Sequence, residues 1–413
     1  MSGLRPRRAL NAIALATTLV VGGASRVHGA ACRGAHWVGV WATSPSDALG
    51  PSFMDQTLRL VVNPTLGGTR VRVRLSNRFG SQSVTFGGGT IARRASGAEL
   101  VPQTRRRLRF GRKRSVTIAP GTEVTSDPVR LRFEAFQDLA VSLHVQGASA
   151  PSTQHATALQ TSYVSPVGGG DHTTAEVGTA FTKTLAIWPF LTDVEVRAPR
   201  RVGALVALGD SITDGLRSPT DQNLRYPDVL ARRLAAAGTR LGVQIEGISG
   251  NQVLRDAAAP TFGPKLLDRL DRDVLDQAGA SVVLLMEGTN DIGVPPPPGA
   301  AQVIDGLRTV IDRMRSAGLR VILGTLPPCK GFALALHGTP GAIAARNEIN
   351  DWIRTGGAAD AMVDFHAVLR DPTDPDRLAP EFDSGDHLHP SAAGYAAMAN
   401  AIDLGLLVTT TCR

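Results

Sequence analysis

Between residues 36 and about 195, apolar and polar positions tend to alternate. Arg70-Val71-Arg72-Val73-Arg74-Leu75 does so strictly, the period-two pattern of a strand with one buried face. Leu139, Val141, Leu143 and Val145 repeat it, with Ala140, Ser142 and His144 interleaved. Turn signals separate the runs at Asn63-Pro64, Gly67-Gly68, Gly87-Gly88-Gly89 and Pro120-Gly121. Short strands at this spacing predict an antiparallel sandwich. No four-turn helical pattern interrupts them.

Near residue 200 the period changes. Gly203-Ala204-Leu205-Val206-Ala207-Leu208 is continuously apolar, as a strand buried on both faces requires. Tyr226-Pro227-Asp228 opens a helix, with Leu230 and Leu234 on one face and Gly238 as its C-cap. Further buried strands are expected around Val243–Ile245 and at Val282–Met286, Val321–Gly324 and Met362–Phe365, separated by helix-length segments. Alternating strand and helix predicts a parallel α/β sheet with helices on both faces. Pro295 to Pro298 is a stiff loop. A linker is expected between Val194 and Arg201, where Arg197, Pro199, Arg200 and Arg201 cluster. The predicted division is thus 32–196 for a β-sandwich-like accessory domain and 197–413 for an α/β domain.

The first 31 residues follow another pattern. Arg5, Arg7 and Arg8 precede an apolar run from Ala9 to Ala24, and Gly29-Ala30-Ala31 supplies small residues for cleavage. This is the layout of a secretory signal peptide, and the run is short for a bilayer span. Arg7-Arg8 leaves twin-arginine export open beside the general route. Removing residues 1–31 lowers the net charge from +8 to +4, so overall charge no longer argues for nucleic acid as a partner. No later apolar run is long enough to span a membrane, and the mature chain is expected to be secreted. An oxidising compartment permits disulfides. Of the three cysteines, Cys32 and Cys412 near the mature termini are the favoured pair, and Cys329 is read as a structural thiol at the pocket mouth.

In open parallel sheets, ligands bind beyond the carboxyl ends of the strands. There the sequence places Gly209-Asp210-Ser211-Ile212-Thr213-Asp214-Gly215, then Gly247-Ile248-Ser249-Gly250-Asn251, then Glu287-Gly288-Thr289-Asn290-Asp291. Leu326-Pro327-Pro328-Cys329 follows the fourth strand, and Asp383-Ser384-Gly385-Asp386-His387-Leu388-His389-Pro390 follows the last. Together these loops supply the parts of an acyl-transfer site. Ser211 is the candidate nucleophile, His389 the base that takes its proton, and Asp386 the group that sets the imidazole tautomer. The N–H groups of Ser211 and Gly250 and the side-chain amide of Asn290 are candidate oxyanion donors.

These blocks resemble those of the SGNH hydrolases, also called GDSL esterases and lipases. The name-giving residues correspond to Ser211, Gly250, Asn290 and His389, and the family aspartate to Asp386. The resemblance covers roughly residues 200–405 and implies an SGNH-type three-layer α/β hydrolase domain that cleaves carboxylic esters without metal or cofactor. Ile212 stands where the family name has Leu, and Glu246 where relatives often carry a neutral polar residue, an expected change in the pocket. The β-rich half, from Trp37-Val38-Gly39-Val40-Trp41, is similar to the extra module of some secreted bacterial members.

Each sharp reading has a plainer rival. Ser211 also suits a helix cap, and Asn290 and Asp291 suit turns. Asp383, Asp386, His387 and His389 include the donor types of a metal site. His387 is read as shaping the site rather than as its base. Trp37 and Trp41 are assigned to the β core rather than to sugar stacking. Arg105, Arg106, Arg107, Arg109, Arg112, Lys113 and Arg114 form a solvated face, with contact to an anionic surface as the alternative. The expected substrate is a small ester or an acylated polysaccharide or lipid, with short acyl groups favoured. The alternatives are a lysophospholipase or lipase preferring longer chains and a non-catalytic cell-wall-binding protein.

Overall fold

A computed structural model of the chain describes residues 1–3, 34–256, 258–356 and 358–408. The signal peptide, Cys32 and Cys412 therefore lie outside the described residues, apart from residues 1–3.

The alternation in the N-terminal half produces two antiparallel sheets. Gly68–Ser76 pairs with Leu191–Pro199, which in turn pairs with Ala35–Ala42. In the second sheet, Met54–Val62, Leu139–Ala148 and Val84–Arg93 lie side by side. Val71, Val73, Leu75, Val194 and Val196 of one sheet share a buried core with Leu58, Leu60, Phe86, Val141 and Leu143 of the other. Period-two patterning buries one face of each sheet, and the two apolar faces close on each other.

Three expectations change here. The run Gly87-Gly88-Gly89 is no turn but lies inside the strand Val84–Arg93, at a register shift between Phe86 and Gly88. Glycine inside a strand marks such a bulge as readily as a turn. The expected linker is strand as far as Pro199, because Val194 and Val196 fill the sandwich core while Asp193 and Glu195, buried on the strand's other face, pair with Arg74 and Arg72. Trp41 packs edge-on to Trp188 at 4.9 Å in the core, but Trp37 is only half-buried, with the Arg72 guanidinium 4.4 Å above its ring. Of the basic run, Arg106, Arg107, Arg109, Arg112, Lys113 and Arg114 are exposed and Arg105 is half-buried.

The C-terminal half is a five-stranded parallel sheet. The first strand, Gly203–Gly209, lies between the second, Leu241–Gly247, and the third, Ala280–Met286. The fourth, Arg320–Gly324, and the fifth, Ala361–Val363, complete it. Helices Tyr226–Ala236, Ala300–Ser316, Pro340–Thr355 and Ala392–Ala401 are among those that flank it, and their apolar stripes enter one core with the strands. The chain leaves the first strand toward the second on one side, and leaves the third toward the fourth on the other. That reversal of order is where an open sheet forms a crevice.

The two halves share an extensive junction. The first sandwich strand, Ala35–Ala42, runs beside Leu241–Gly247, the edge strand of the parallel sheet, and Gly39 and Gly242 let the backbones approach. A side chain on Gly242 would stand 2.2 Å from the Gly39 carbonyl. The Thr65 hydroxyl oxygen accepts from the Val243 N–H at 2.8 Å. The sandwich therefore covers an edge that would otherwise offer open pairing groups. Glu246 belongs to this junction, where it accepts from the Ser44 hydroxyl at 2.6 Å, and not to the substrate pocket as expected.

Candidate active site

Ser211 begins a one-turn helix directly after the first parallel strand, capped by the Asp210 side chain, which accepts from the Ile212 N–H at 3.0 Å. The cap is thus Asp210, which leaves the Ser211 hydroxyl free for other partners. That hydroxyl lies 2.9 Å from His389 Nε2, and His389 Nδ1 lies 2.8 Å from Asp386 Oδ2. Because Nδ1 faces a carboxylate, it carries the ring proton, and Nε2 is left to accept from the serine.

Asp386 is held by several donors. Its Oδ1 accepts from the N–H groups of Leu388 at 3.0 Å and His389 at 2.9 Å. Partial burial alone would raise its pKa, but the His389 bonds and charge and the Leu388 N–H outweigh it and hold the carboxyl far below the ordinary range. Arg217 Nε also donates to Asp386 Oδ2, at 3.0 Å. His387 points elsewhere: its Nδ1 pairs with Asp383 at 2.6 Å. The four residues weighed as metal ligands therefore form two separate Asp–His pairs.

The oxyanion candidates come from the neighbouring loops. Gly250 has φ +82°, and a side chain there would meet the Phe262 ring at 2.3 Å, so only glycine fits. Among the described residues the backbone N–H groups of Ser211 and Gly250 have no protein acceptor. Asn290 Nδ2 donates one proton to the Asn251 carbonyl at 3.0 Å, which leaves its second proton available. Asp291, read only as a turn residue, ties the two loops together by accepting from Val253 at 2.8 Å and Leu254 at 3.1 Å. All the residues expected from sequence, Ser211, Gly250, Asn290, Asp386 and His389, lie in the loops beyond the carboxyl edge of the sheet.

Two further residues of the site, His337 and Arg269, gave no sequence signal. His337 Nε2 lies 3.3 Å from Asn290 Oδ1, and burial together with the His389 charge pushes its pKa down to about 4. The neutral ring therefore donates to the amide oxygen and orients the Asn290 NH₂. Arg269 is fully buried and donates to the Gly209 carbonyl, the Glu246 carbonyl and Asn251 Oδ1, each at 2.9 Å. It clamps the ends of the first two strands in one relation. Burial of Glu287, with Asp210 nearby, drives the Glu287 carboxyl well above its ordinary range, and burial brings Asp210 to about 6. Cys329 is buried, donates to the His337 carbonyl at 3.1 Å and carries a free thiol, the structural role expected of it, though beneath the surface rather than at a pocket mouth.

A family model described as GDSL-like lipase/acylhydrolase matches residues 207–397. No curated protein matches the chain. Among solved structures, a GDSL-like lipase from Bacteroides thetaiotaomicron is 18% identical over 50% of this chain and 88% of its own, with a TM-score of 0.38. The acetyl xylan esterase AlAXEase is 21% identical over 48% of this chain and 96% of its own, with a TM-score of 0.36. A carbohydrate acetylesterase from Sinorhizobium meliloti is 16% identical over 48% and 95%, with a TM-score of 0.36.

Proposed function

We propose, for a chain whose residues 207–397 match a GDSL-like lipase/acylhydrolase family model, that it is a secreted serine esterase acting through Ser211, His389 and Asp386. The observation that carries this reading is the continuous hydrogen-bonded chain from the Ser211 hydroxyl through His389 to Asp386, set where the strand order reverses. Ser211 attacks the ester carbonyl carbon while His389 Nε2 takes the hydroxyl proton. Negative charge that develops on the carbonyl oxygen is met by the Ser211 and Gly250 N–H groups and Asn290 Nδ2. His389 then gives its proton to the departing alcohol. In the second half it takes a proton from water, which attacks the acyl-serine carbonyl; as the bond to Ser211 Oγ breaks and the acid leaves, His389 returns that proton to the serine oxygen.

Asn290→Ala should lower kcat on a p-nitrophenyl ester by about 10²–10³-fold, with a smaller effect on KM, because the amide meets charge present only in the transition state. Wild-type turnover in that variant would remove Asn290 from the oxyanion pocket.

The favoured substrate is a short-acyl ester, including esters carried on carbohydrate. No long amphipathic lid segment is visible in the sequence, and aromatic residues make up only 5% of it. Close to the nucleophile, Phe262 lies over Gly250, and the Phe332 ring is 6.5 Å from that of His389. With EDTA present, p-nitrophenyl esters from acetate to palmitate should show hydrolysis greatest for the shortest acyl groups. A steady rise from acetate to laurate would instead favour the lipase reading, and loss of activity to EDTA would favour a metal-dependent one.

A further inference from the structure

His155 belongs to the N-terminal half and stands in a segment, Gln154-His155-Ala156-Thr157, that matches no motif. Its short strand pairs with Trp188-Pro189, and its side chain is buried against the C-terminal domain. Ring nitrogen Nδ1 lies 2.8 Å from the Ser44 carbonyl. Nε2 lies 3.0 Å from Asp214 Oδ1 and 3.1 Å from the Thr157 carbonyl. Every partner is thus an oxygen that accepts. A neutral imidazole has one N–H and would aim the lone pair of its other nitrogen at an oxygen, whereas the imidazolium satisfies both.

Asp214 continues the chain. It closes the one-turn helix that begins at Ser211, and its Oδ2 accepts from the Ser249 N–H at 3.1 Å and the Ser249 hydroxyl at 2.6 Å. The next peptide carries the Gly250 N–H. We infer that His155 is a positioning residue for the oxyanion pocket, holding Asp214, which holds Ser249 and thereby aims the Gly250 N–H. The inference rests on the esterase reading above. It makes the N-terminal domain a structural part of the active site rather than an appended module.

The local electrostatics agree. Burial opposes protonation of His155, but the charge and hydrogen bond of Asp214 and the Ser44 carbonyl outweigh it, so the pKa is raised. The other charge facing the ring is Arg225, which opposes protonation, donates to the Ala158 carbonyl and lies 3.9 Å from Asp228.

The test uses the full mature chain with His155→Gln, Asp214→Asn and the double variant. Each single variant should lower kcat about 10- to 100-fold with KM little changed, since a displaced oxyanion donor acts on the transition state. The double variant should be no worse than either single one, because both break one chain of contacts. Wild-type kcat in His155→Gln, or additive losses in the double variant, would overturn the inference. The wild-type protein gives an independent check: nitrogen NMR of the histidines should show one slowly exchanging ring that stays doubly protonated above the ordinary histidine pKa of about 6.5. A buried ring with a single N–H would also overturn it. Ser211→Ala separates the two levels. If Ser211→Ala is inactive and His155→Gln is not, only this inference falls; if Ser211→Ala stays active, the esterase reading falls.

Discussion

Ser211→Ala is expected to lower kcat on p-nitrophenyl acetate by roughly 10⁴–10⁶-fold while the protein still folds. The hydroxyl is the only atom group removed, and it lies 2.9 Å from His389 Nε2 at a position where no backbone bond depends on it. What activity remains should come from the oxyanion donors and from substrate binding, which do not require the serine oxygen. Thermal unfolding by circular dichroism checks the fold, and a fluorophosphonate probe checks the nucleophile: the wild-type chain should label and the variant should not. Wild-type turnover in the variant would place the chemistry elsewhere. Failure of the wild-type chain to label would favour the binding-protein reading.

Asp386→Asn should cost about 10⁴-fold in kcat. An asparagine at this position would keep its oxygen on the Leu388 and His389 N–H groups, which now bond Asp386 Oδ1. Its NH₂ would then face His389 Nδ1, which must accept, so the ring proton moves to Nε2. In that tautomer His389 has no lone pair for the Ser211 hydroxyl. Near-native geometry with lost turnover is the expected signature; a merely tenfold loss would show that Asp386 does not set the tautomer. The pH dependence follows from the depressed pKa. Since the folded value lies below the unfolded value near 3.9, the stabilisation from Asp386 is present above about pH 4 and fades as pH falls toward the folded value. Loss of activity between about pH 7 and 5 is therefore not protonation of Asp386, and a pH–rate profile of the wild-type chain should show no Asp386 step in that range.

Much of this site is legible in the sequence alone. Ser211, Gly250, Asn290, Asp386 and His389 fall in polar blocks that each follow an apolar run, and a parallel sheet brings such loops to one edge whatever the details of packing. The three-residue spacing of Asp386 and His389 allows one carboxylate to reach both the ring and the intervening backbone. Arg70–Leu75 and Gly203–Leu208 likewise carry their strand assignments in their periodicity. The two misread segments have one origin. Gly87–Gly89 and Val194–Arg201 contain residues common in turns, yet a bulge and a strand carrying buried, paired charges use the same residues once neighbouring strands satisfy the backbone.

His337, Arg269 and His155 show the limit. Their roles depend on partners brought close by the fold: His155 meets Asp214 across 59 positions, and Arg269 meets Gly209 across 60. No periodicity or spacing rule connects such pairs, because a single polar residue in an unpatterned segment looks the same whether it is solvated or buried. The amino-acid sequence by itself determined the two architectures and which residues are candidates for the site, since these rest on local pattern and on the order of blocks along the chain. Only the tertiary structure decided what holds those residues in place and that the sandwich closes against the catalytic sheet, because burial and hydrogen-bond partnership are properties of assembled surfaces.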